Sequence, residues 1–238
     1  MKLFKKGIID GLPIGIGYLS VSFAFGIFAV SAGLSSLEAL FISMTNLTSA
    51  GQLAAVPIIA TGGLLSELMA SQLVINLRYA LMSISLSQKF GKDIHLYDRF
   101  FLAFFNTDEV FAVAASKEGP VSKAYMYGLV VTPYFGWSFG TILGAILGNV
   151  LPEIVTTALG IAIYGMFIAI VTPMAKKSHS VLICVIISAT LSCAFEFLPL
   201  LKATPKGFVI IICAILAAAF CAAFFPLNSK EKEETANE

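Results

Sequence analysis

Long apolar runs follow one another along almost the whole chain, and they limit its fold more than any other feature. A helix needs about 20 such residues to cross the hydrocarbon core of a bilayer. Of the 238 residues, 58% are hydrophobic and only 12% are charged, too few charges to cover a water-soluble globule. The sequence therefore predicts an all-α polytopic integral membrane protein with six to eight transmembrane segments. The candidate segments are 11–32, 37–60, 64–87, 99–115, 124–149, 153–175, 180–200 and 207–226.

Two of these segments carry polar residues in their middle. Segment 37–60 is interrupted by Asn46 to Gln52, and segment 99–115 by Asn106 to Glu109. If all eight segments span, nine basic residues share the side of the N-terminus and five face the other side; if these two re-enter, the count is twelve against two. Because basic residues favour the cytoplasmic side, we expect one or two broken or re-entrant helices. We also expect a cytoplasmic N-terminus and a multi-pass location in the membrane.

No stretch between the segments is long enough for an extramembrane domain. We interpret residues 1–227 as a single transmembrane transporter domain and residues 228–238 as a charged, flexible tail. A faint internal repeat relates residues 10–115 to residues 124–226, since the dipeptide Phe-Gly recurs after 114 positions. Repeats of this kind are usual in secondary transporters, while chance identity between glycine-rich helices explains the pattern equally well.

Charged residues lie inside the apolar segments, chiefly Glu67, Arg78, Asp108 and Glu109, and a charge there is costly unless it is paired or hydrated. Glu67 and Arg78 are eleven residues apart, so they share nearly one face of a helix. We expect Arg78 and Asp108 to bind substrate, and Glu67 and Glu109 to carry a coupling proton or a structural charge. The alternatives are snorkelling of Glu67 and Arg78 to head groups, a salt bridge between Arg78 and Asp108, and a surface turn at Asp108 and Glu109.

Neutral polar residues offer further hydrogen bonds inside the apolar segments. Thr48 and Gln52 belong to the polar run of segment 37–60, where Gly51 allows the backbone to unwind. Half-helix ends at such breaks carry opposite partial charges and suit a zwitterion. We expect Thr48, Gln52 and Asn76 to bind substrate. The alternative is a helix–helix contact held together by small polar residues.

Glycines recur every fourth residue along segment 124–149. Such spacing places them on one face of a helix and allows a neighbouring backbone to approach closely. We interpret this face as a helix-packing surface whose partner is another helix of the chain or a second subunit. Its members are Gly136, Gly140, Gly144 and Gly148.

The motifs of several protein classes are absent from the sequence. It contains no P-loop, HExxH or GxSxG motif, which removes ATPases and the commonest membrane hydrolases. No basic stripe or zinc finger indicates nucleic-acid binding, and neither histidine has a second metal ligand spaced to join it. We expect no catalysis, no cofactor, no metal and no nucleic-acid partner, and we expect contact with the lipid bilayer and a small-molecule substrate.

In its order of motifs and its length, the chain resembles the AzlC-type permeases, the large subunit of branched-chain amino acid exporters. The resemblance implies export of leucine, isoleucine or valine across the bacterial inner (plasma) membrane, and a small AzlD-type membrane subunit as partner. The motifs that carry it are Phe23-Ala-Phe-Gly26, Ser49-Ala-Gly-Gln52, Asn76-Leu-Arg78-Tyr79, Thr107-Asp-Glu109 and Gly136-Trp137 with the glycines that follow.

These observations together predict secondary-active export of branched-chain or related neutral amino acids. Arg78 or Asn76 would bind the substrate carboxylate, and Asp108 would bind its ammonium group or a proton. Thr48 and Gln52 would add neutral hydrogen bonds. The alternative function is a channel, or a helical membrane scaffold without active transport, in which the polar residues only hold helices together.

Overall fold

A computed structural model describes residues 1–148, 178–199 and 204–225 of the protein, together with 152, 154, 168, 171–173, 175, 176 and 201. Most of predicted segment 153–175, and the tail 228–238, lie outside the described residues. The described part of the chain is helical apart from loops and one isolated bridge, which confirms the all-α prediction. Its helices are α1 (Lys2–Ser31), α2 (Ser36–Thr45), α3 (Ser49–Ala60), α4 (Leu65–Gln88), α5 (Leu96–Phe104), α6 (Asp108–Ala115), α7 (Lys123–Gly148), α8 (His179–Phe197) and α9 (Lys206–Phe224).

Four of the described helices, α1, α7, α8 and α9, are long and apolar enough to cross a membrane. The two predicted interruptions are confirmed as breaks in the helical backbone. Segment 37–60 is divided into α2 and α3, and segment 99–115 into α5 and α6. In both cases the second half-helix begins with a threonine cap, Thr48 or Thr107, whose hydroxyl accepts a backbone N–H of the first turn.

The described chain forms two compact units. The first contains Met1–Gly62 and Ile75–Tyr164, and the second contains Gly63–Val74 and Gly165–Glu238. Helix α4 contributes its first turns to the second unit and the remainder to the first. Both predicted breaks therefore belong to the first unit, together with α1 and α7.

The first unit is built on α1 and α7, which pack side by side in parallel. Gly7 near the start of α1 lies against the backbone of Leu129, and Gly26 near its end lies against Ala145. A Cβ atom at Gly136 or Gly144 of α7 would lie within 3.0 Å of α1 backbone. The predicted glycine face of α7 thus lies against α1 of the same chain, with no side chain between the two backbones.

Helices α2 and α3 form a hairpin beside the C-terminal halves of α1 and α7. The Ser36 hydroxyl donates to the Ala145 carbonyl oxygen at 3.3 Å, near the end of α7. Leu47, in the break, packs on Trp137 half-way along α7, and Val56 of α3 returns to Ala145. The hairpin therefore enters at the end of the unit where α1 and α7 finish, reaches the middle and returns to the same end. We call this end of the unit the far end.

Helices α5 and α6 form a second hairpin that enters from the opposite end. Asp98, in the first turn of α5, pairs with Lys123 at the start of α7 at 2.7 Å. Phe105, in the break, contacts Tyr134 with ring centroids 5.3 Å apart, and Ala114 of α6 returns to the cluster around the start of α7. The two hairpins thus approach each other from opposite ends of the α1–α7 pair.

The end at which the second hairpin enters also holds the N-terminus of α1. The Gly91 N–H donates to the Val121 carbonyl oxygen at 2.8 Å, and the Val121 N–H donates to that of Lys89 at 2.9 Å. Lys117 pairs with Asp10 of α1 at 2.7 Å. The loops after α4 and before α7 therefore lie together, as the re-entrant arrangement requires. We call this the basic end, because it carries Lys2, Lys5, Lys6, Lys89, Lys92, Arg99, Lys117 and Lys123.

In the second unit, α8 and α9 pack as an antiparallel pair. Cys221, near the end of α9, donates from Sγ to the carbonyl oxygen of Ser180 at the start of α8, at 3.7 Å. The Glu67 carboxylate, from the first turn of α4, accepts the Gly207 N–H at 2.6 Å. Because a helix N-terminus carries partial positive charge and unpaired N–H groups, Glu67 stabilises the beginning of α9.

Candidate functional site

The two hairpins meet at a tyrosine and a tryptophan half-way along α1 and α7. The rings of Tyr18 and Trp137 make an edge-to-face contact with centroids 5.0 Å apart. Leu47 from the first break packs on this pair, and Thr107 from the second break lies 2.7 Å from the Tyr18 hydroxyl. Both breaks therefore reach the middle of the longest helices, where a backbone that is not helical must be enclosed by protein or line a wet cavity.

Tyr18 connects α1 to the N-terminus of α6. Its hydroxyl donates to the Glu109 carboxylate and lies beside the Thr107 hydroxyl, which caps α6 by accepting the Val110 N–H at 3.4 Å. A carboxylate in the first turn of a helix also interacts favourably with the helix dipole. Glu109 is therefore held both by its own helix and by α1.

Arg78 of α4 pairs with Asp108, the other carboxylate of the first turn of α6. The Nη1 to Oδ2 distance is 2.9 Å, and the two side chains are 53% and 45% exposed. Nη2 of the same guanidinium donates to the Tyr79 hydroxyl at 3.1 Å. The guanidinium carbon lies 4.9 Å from the centre of the Tyr79 ring. The structure thus joins the two charged residues predicted to bind substrate, and their ion pair is open to its surroundings.

The first break is held by neutral side chains that are completely buried. Gln52 donates from Nε2 to the Asn46 carbonyl oxygen at 2.6 Å and to the Ser43 hydroxyl at 3.1 Å. Ser43 lies 2.7 Å from the Thr141 hydroxyl, which donates to the Trp137 carbonyl oxygen. This chain of hydrogen bonds ties α2, α3 and α7 together at the break. Gln52 and Thr48, predicted to bind substrate, both make local bonds within the fold.

The half-helices α3 and α6 both begin at the centre, but their first turns differ in charge. The first turn of α3 contains no acidic residue, whereas that of α6 contains Asp108 and Glu109. The N-terminus of α3 therefore presents partial positive charge, while that of α6 carries net negative charge. Two ends of opposite charge beside Tyr18 and Trp137 are an arrangement suited to a molecule that carries both charges.

Two other predicted residues occupy different positions in α4. Asn76 is half-buried, one turn before Tyr79, in the part of α4 that belongs to the first unit. Glu67 belongs to the second unit and is 4% exposed, so it does not snorkel to a surface. Its carboxylate has a structural contact at α9, one of the two roles predicted for it.

Sequence reasoning did not single out Tyr18, Ser43 or Thr141. All three are buried, and each contributes a hydroxyl to one of the two breaks. A lone hydroxyl has no periodic signal, and such residues usually bond within their own helix. Only the close approach of α1 and α7 to the hairpins shows their role. Among the described residues, no group of three His, Cys, Asp or Glu side chains is placed to hold a metal ion.

Comparison with known sequences places the chain in a family. A sequence model of the AzlC protein family matches residues 13–151. The chain belongs to the AzlC family. The match includes both hairpins, α7 and the part of α1 from Pro13 onward, and thus every predicted residue of the site. No solved structure matches the chain.

Membrane proteins of other microbes are similar to this AzlC chain. A membrane protein of Archaeoglobus fulgidus is 30% identical over 179 residues, which cover 74% of the chain and 78% of the relative. The inner membrane protein YgaZ of Escherichia coli K12 is 30% identical over 184 residues, covering 74% and 75%. A membrane protein of Helicobacter pylori 26695 is 27% identical over 146 residues, covering 60% and 63%. Their common feature is that they are membrane proteins, as this chain is.

Proposed function

We propose that the protein is the large subunit of a secondary-active exporter of branched-chain amino acids. The observation that carries the proposal is the meeting of two broken hairpins from opposite ends beside an open ion pair. Discontinuous helices at mid-depth form the substrate sites of many secondary transporters. Membership of the AzlC family supports leucine, isoleucine, valine and related neutral amino acids as substrates.

A zwitterion matches the charges at the centre of the first unit. Its ammonium group would take the place of Arg78 beside Asp108, and its carboxylate would take the place of Asp108 beside Arg78. The exchange leaves the net charge of the site unchanged, so substrate binding adds no unpaired charge at membrane depth. The N-terminus of α3, which has no acidic residue of its own, offers a second position for the carboxylate.

Proton coupling is the mechanism that we propose, because the sequence has no ATP-binding motif. Glu109 is placed to carry the proton. Its carboxylate accepts from Tyr18, and it is adjacent to Asp108, whose charge is shared with Arg78. Protonation of Glu109 would remove the charge that strengthens its hydrogen bond from the Tyr18 hydroxyl, and would so weaken the contact between α6 and α1.

The test is efflux from cells that lack the gene. After feeding with a valine- or leucine-containing dipeptide, such cells should retain more of the free amino acid than cells carrying the gene. Collapse of the proton gradient should remove the difference. Equal retention in the two strains would contradict export, and efflux unaffected by the gradient would contradict proton coupling.

A channel or scaffold is the second candidate, and one observation favours it. Arg78 and Asp108 satisfy each other, and Thr48 and Gln52 are used in bonds within the fold. Side chains of this kind hold membrane helices together without transport. Saturation of efflux with rising internal leucine indicates a transporter, whereas flux that rises linearly indicates a channel and no flux indicates a scaffold.

We also propose a small AzlD-type membrane subunit as partner, in the inner membrane, with the N-terminus of the chain in the cytoplasm. The subunit is proposed from the family of the chain. The orientation is proposed from the basic residues gathered at one end of the first unit. Purification in a mild detergent should recover a second, smaller hydrophobic protein. A lone chain that exports at the full rate after reconstitution would contradict the need for it.

A further inference from the structure

A cavity of about 410 Å³ lies within the first unit, between the C-terminal half of α4 and helix α5. Leu86 and Phe90 line it on one side, and Leu96 and Ala103 on the other. Helix α5 begins at the basic end and stops at the break before α6. The cavity therefore extends from the basic end to the centre, about 15 Å along the hairpin if measured at the helical rise from Leu96 to Asn106.

The inner end of the cavity has an unused hydrogen-bond acceptor. Asn106 is 4% exposed, and its Nδ2 donates to the Ser83 hydroxyl at 2.9 Å. Its Oδ1 is buried and has no hydrogen-bond partner in the part of the chain that the structure describes. A buried acceptor without a partner is unfavourable unless a ligand donates to it. Because Asn106 directly precedes the cap of α6, a ligand donor at this position would lie beside the central site.

The outer end of the cavity has a cation without an acidic partner among the described residues. The Arg99 guanidinium lies 5.5 Å from the centre of the Phe90 ring and donates from Nη1 to the Ser87 carbonyl oxygen at 3.3 Å. Both contacts leave further N–H groups of the guanidinium for an anion. A ligand carboxylate approaching the basic end would meet this charge first.

We propose that this cavity is the path by which a neutral amino acid with an apolar side chain reaches the centre from the basic end. The proposal rests on the proposed transport function and adds the route by which the substrate enters. Arg99 attracts the carboxylate at the entrance, the apolar walls accept the side chain, and Asn106 receives the ammonium group before it reaches Asp108. The walls between these two residues carry no charge, so aspartate and lysine are excluded.

Cysteine accessibility tests the route. The four native cysteines, all in the second unit, are first replaced by alanine (Cys184, Cys193, Cys213 and Cys221). Ala103→Cys and Ser87→Cys then report from the wall and the entrance of the cavity, and Ser116→Cys, in an exposed turn at the basic end, is the matched control. Each full-length variant is reconstituted in lipid nanodiscs and labelled with a charged maleimide.

Leucine at about ten times its Kd should slow labelling at Ala103→Cys and Ser87→Cys about tenfold. Aspartate should not slow it, and neither amino acid should affect Ser116→Cys. No labelling at either cavity position, or labelling that leucine does not slow, would overturn the route and indicate a lipid-filled groove. The same variants are assayed for leucine efflux: efflux without protection refutes the route alone, whereas absence of efflux in the unmodified protein refutes the proposed function.

Discussion

The two hairpins of the first unit share a plan and differ in chemistry. Each consists of two half-helices, enters from one end of the α1–α7 pair, and breaks beside Tyr18 and Trp137 with a threonine cap on its second half. The α2–α3 break is neutral and fully buried around Gln52. The α5–α6 break carries two carboxylates and an ion pair that is about half exposed.

The difference indicates a division of roles. Buried neutral bonds fix the geometry of a break and are costly to remove. The half-exposed Arg78–Asp108 ion pair, by contrast, leaves both of its charges accessible to a ligand. We infer that the α2–α3 hairpin sets position and that the α5–α6 hairpin makes contact with the substrate.

Asp108→Asn should have the largest effect on transport. The variant keeps the shape of the side chain but leaves Arg78 without its carboxylate and removes the partner of the substrate ammonium group. We expect leucine efflux to fall about tenfold or more, equivalent to about 1.4 kcal/mol of activation free energy, with abundance of the protein maintained. Efflux of labelled leucine and an immunoblot measure the two quantities.

Asp10→Asn is the matched control for that experiment. Asp10 also pairs with a basic side chain, Lys117 at 2.7 Å, but at the basic end. It should leave efflux near the normal rate. If Asp108→Asn and Asp10→Asn export equally well, the Arg78–Asp108 pair is structural and the division of roles between the hairpins is wrong.

Gln52→Ala should have the largest effect on stability. It removes the donor to Ser43 and to the Asn46 carbonyl oxygen from a side chain that is fully buried. We expect the free energy of unfolding to fall by about 1–3 kcal/mol, seen as a lower thermal midpoint in detergent and lower abundance in cells. Efflux per molecule of folded protein should change little. A normal midpoint combined with lost efflux would instead place Gln52 in substrate binding.

Thr48→Ala and Thr107→Ala compare the two caps directly. Each removes a hydroxyl that accepts a first-turn N–H, so each should cost about 1 kcal/mol of stability. Thr107→Ala also removes a partner of the Tyr18 hydroxyl, and it should reduce efflux more than Thr48→Ala does. Equal efflux from the two variants would show that the contact between Tyr18 and α6 does not matter for transport.

The smallest effect is expected from loss of the Asp98–Lys123 ion pair, which lies at the basic end where the α5–α6 hairpin begins. The Lys123 ammonium group beside Asp98 holds the pKa of that carboxyl below its usual range. A carboxyl with a lowered pKa stabilises the folded state above its ordinary pKa of about 3.9, and the contribution is lost as the pH falls from that value through the lowered pKa. Asp98→Asn should therefore lower the thermal midpoint at about pH 7, and the difference from the unmodified protein should shrink as the pH falls through the lowered pKa. A difference that is constant with pH would rule out this origin.

Much of the fold could be predicted from the chain itself. The polar runs around Thr48 and Asp108 predicted both breaks, because an apolar helix tolerates such residues at membrane depth only where the backbone or a partner satisfies them. The excess of lysine on one side predicted that both breaks re-enter. The spacing of the α7 glycines predicted close packing, and it left the partner open because spacing describes only one of the two surfaces.

The candidate site was less predictable. Asp108 and Arg78 were expected in it, with their mutual pairing left as an alternative. Tyr18 could not be found, because its importance depends on where α6 begins in space relative to α1. Gln52 and Thr48 carry the hydrogen-bonding groups that a substrate would need. The sequence cannot show that Nε2 of Gln52 already donates to Ser43, or that the Thr48 hydroxyl already accepts the Gly51 N–H.

The parallel packing of α1 and α7 imposes a rule of parity on the chain between them. If both helices cross in the same direction, residues 32–122 must make an odd number of net crossings, however they are arranged. A relative with the same α1–α7 packing can therefore gain or lose spanning helices in this interval only two at a time. Tags inserted at the two glycine turns, Gly33 and Gly119, should therefore report from opposite faces of the membrane.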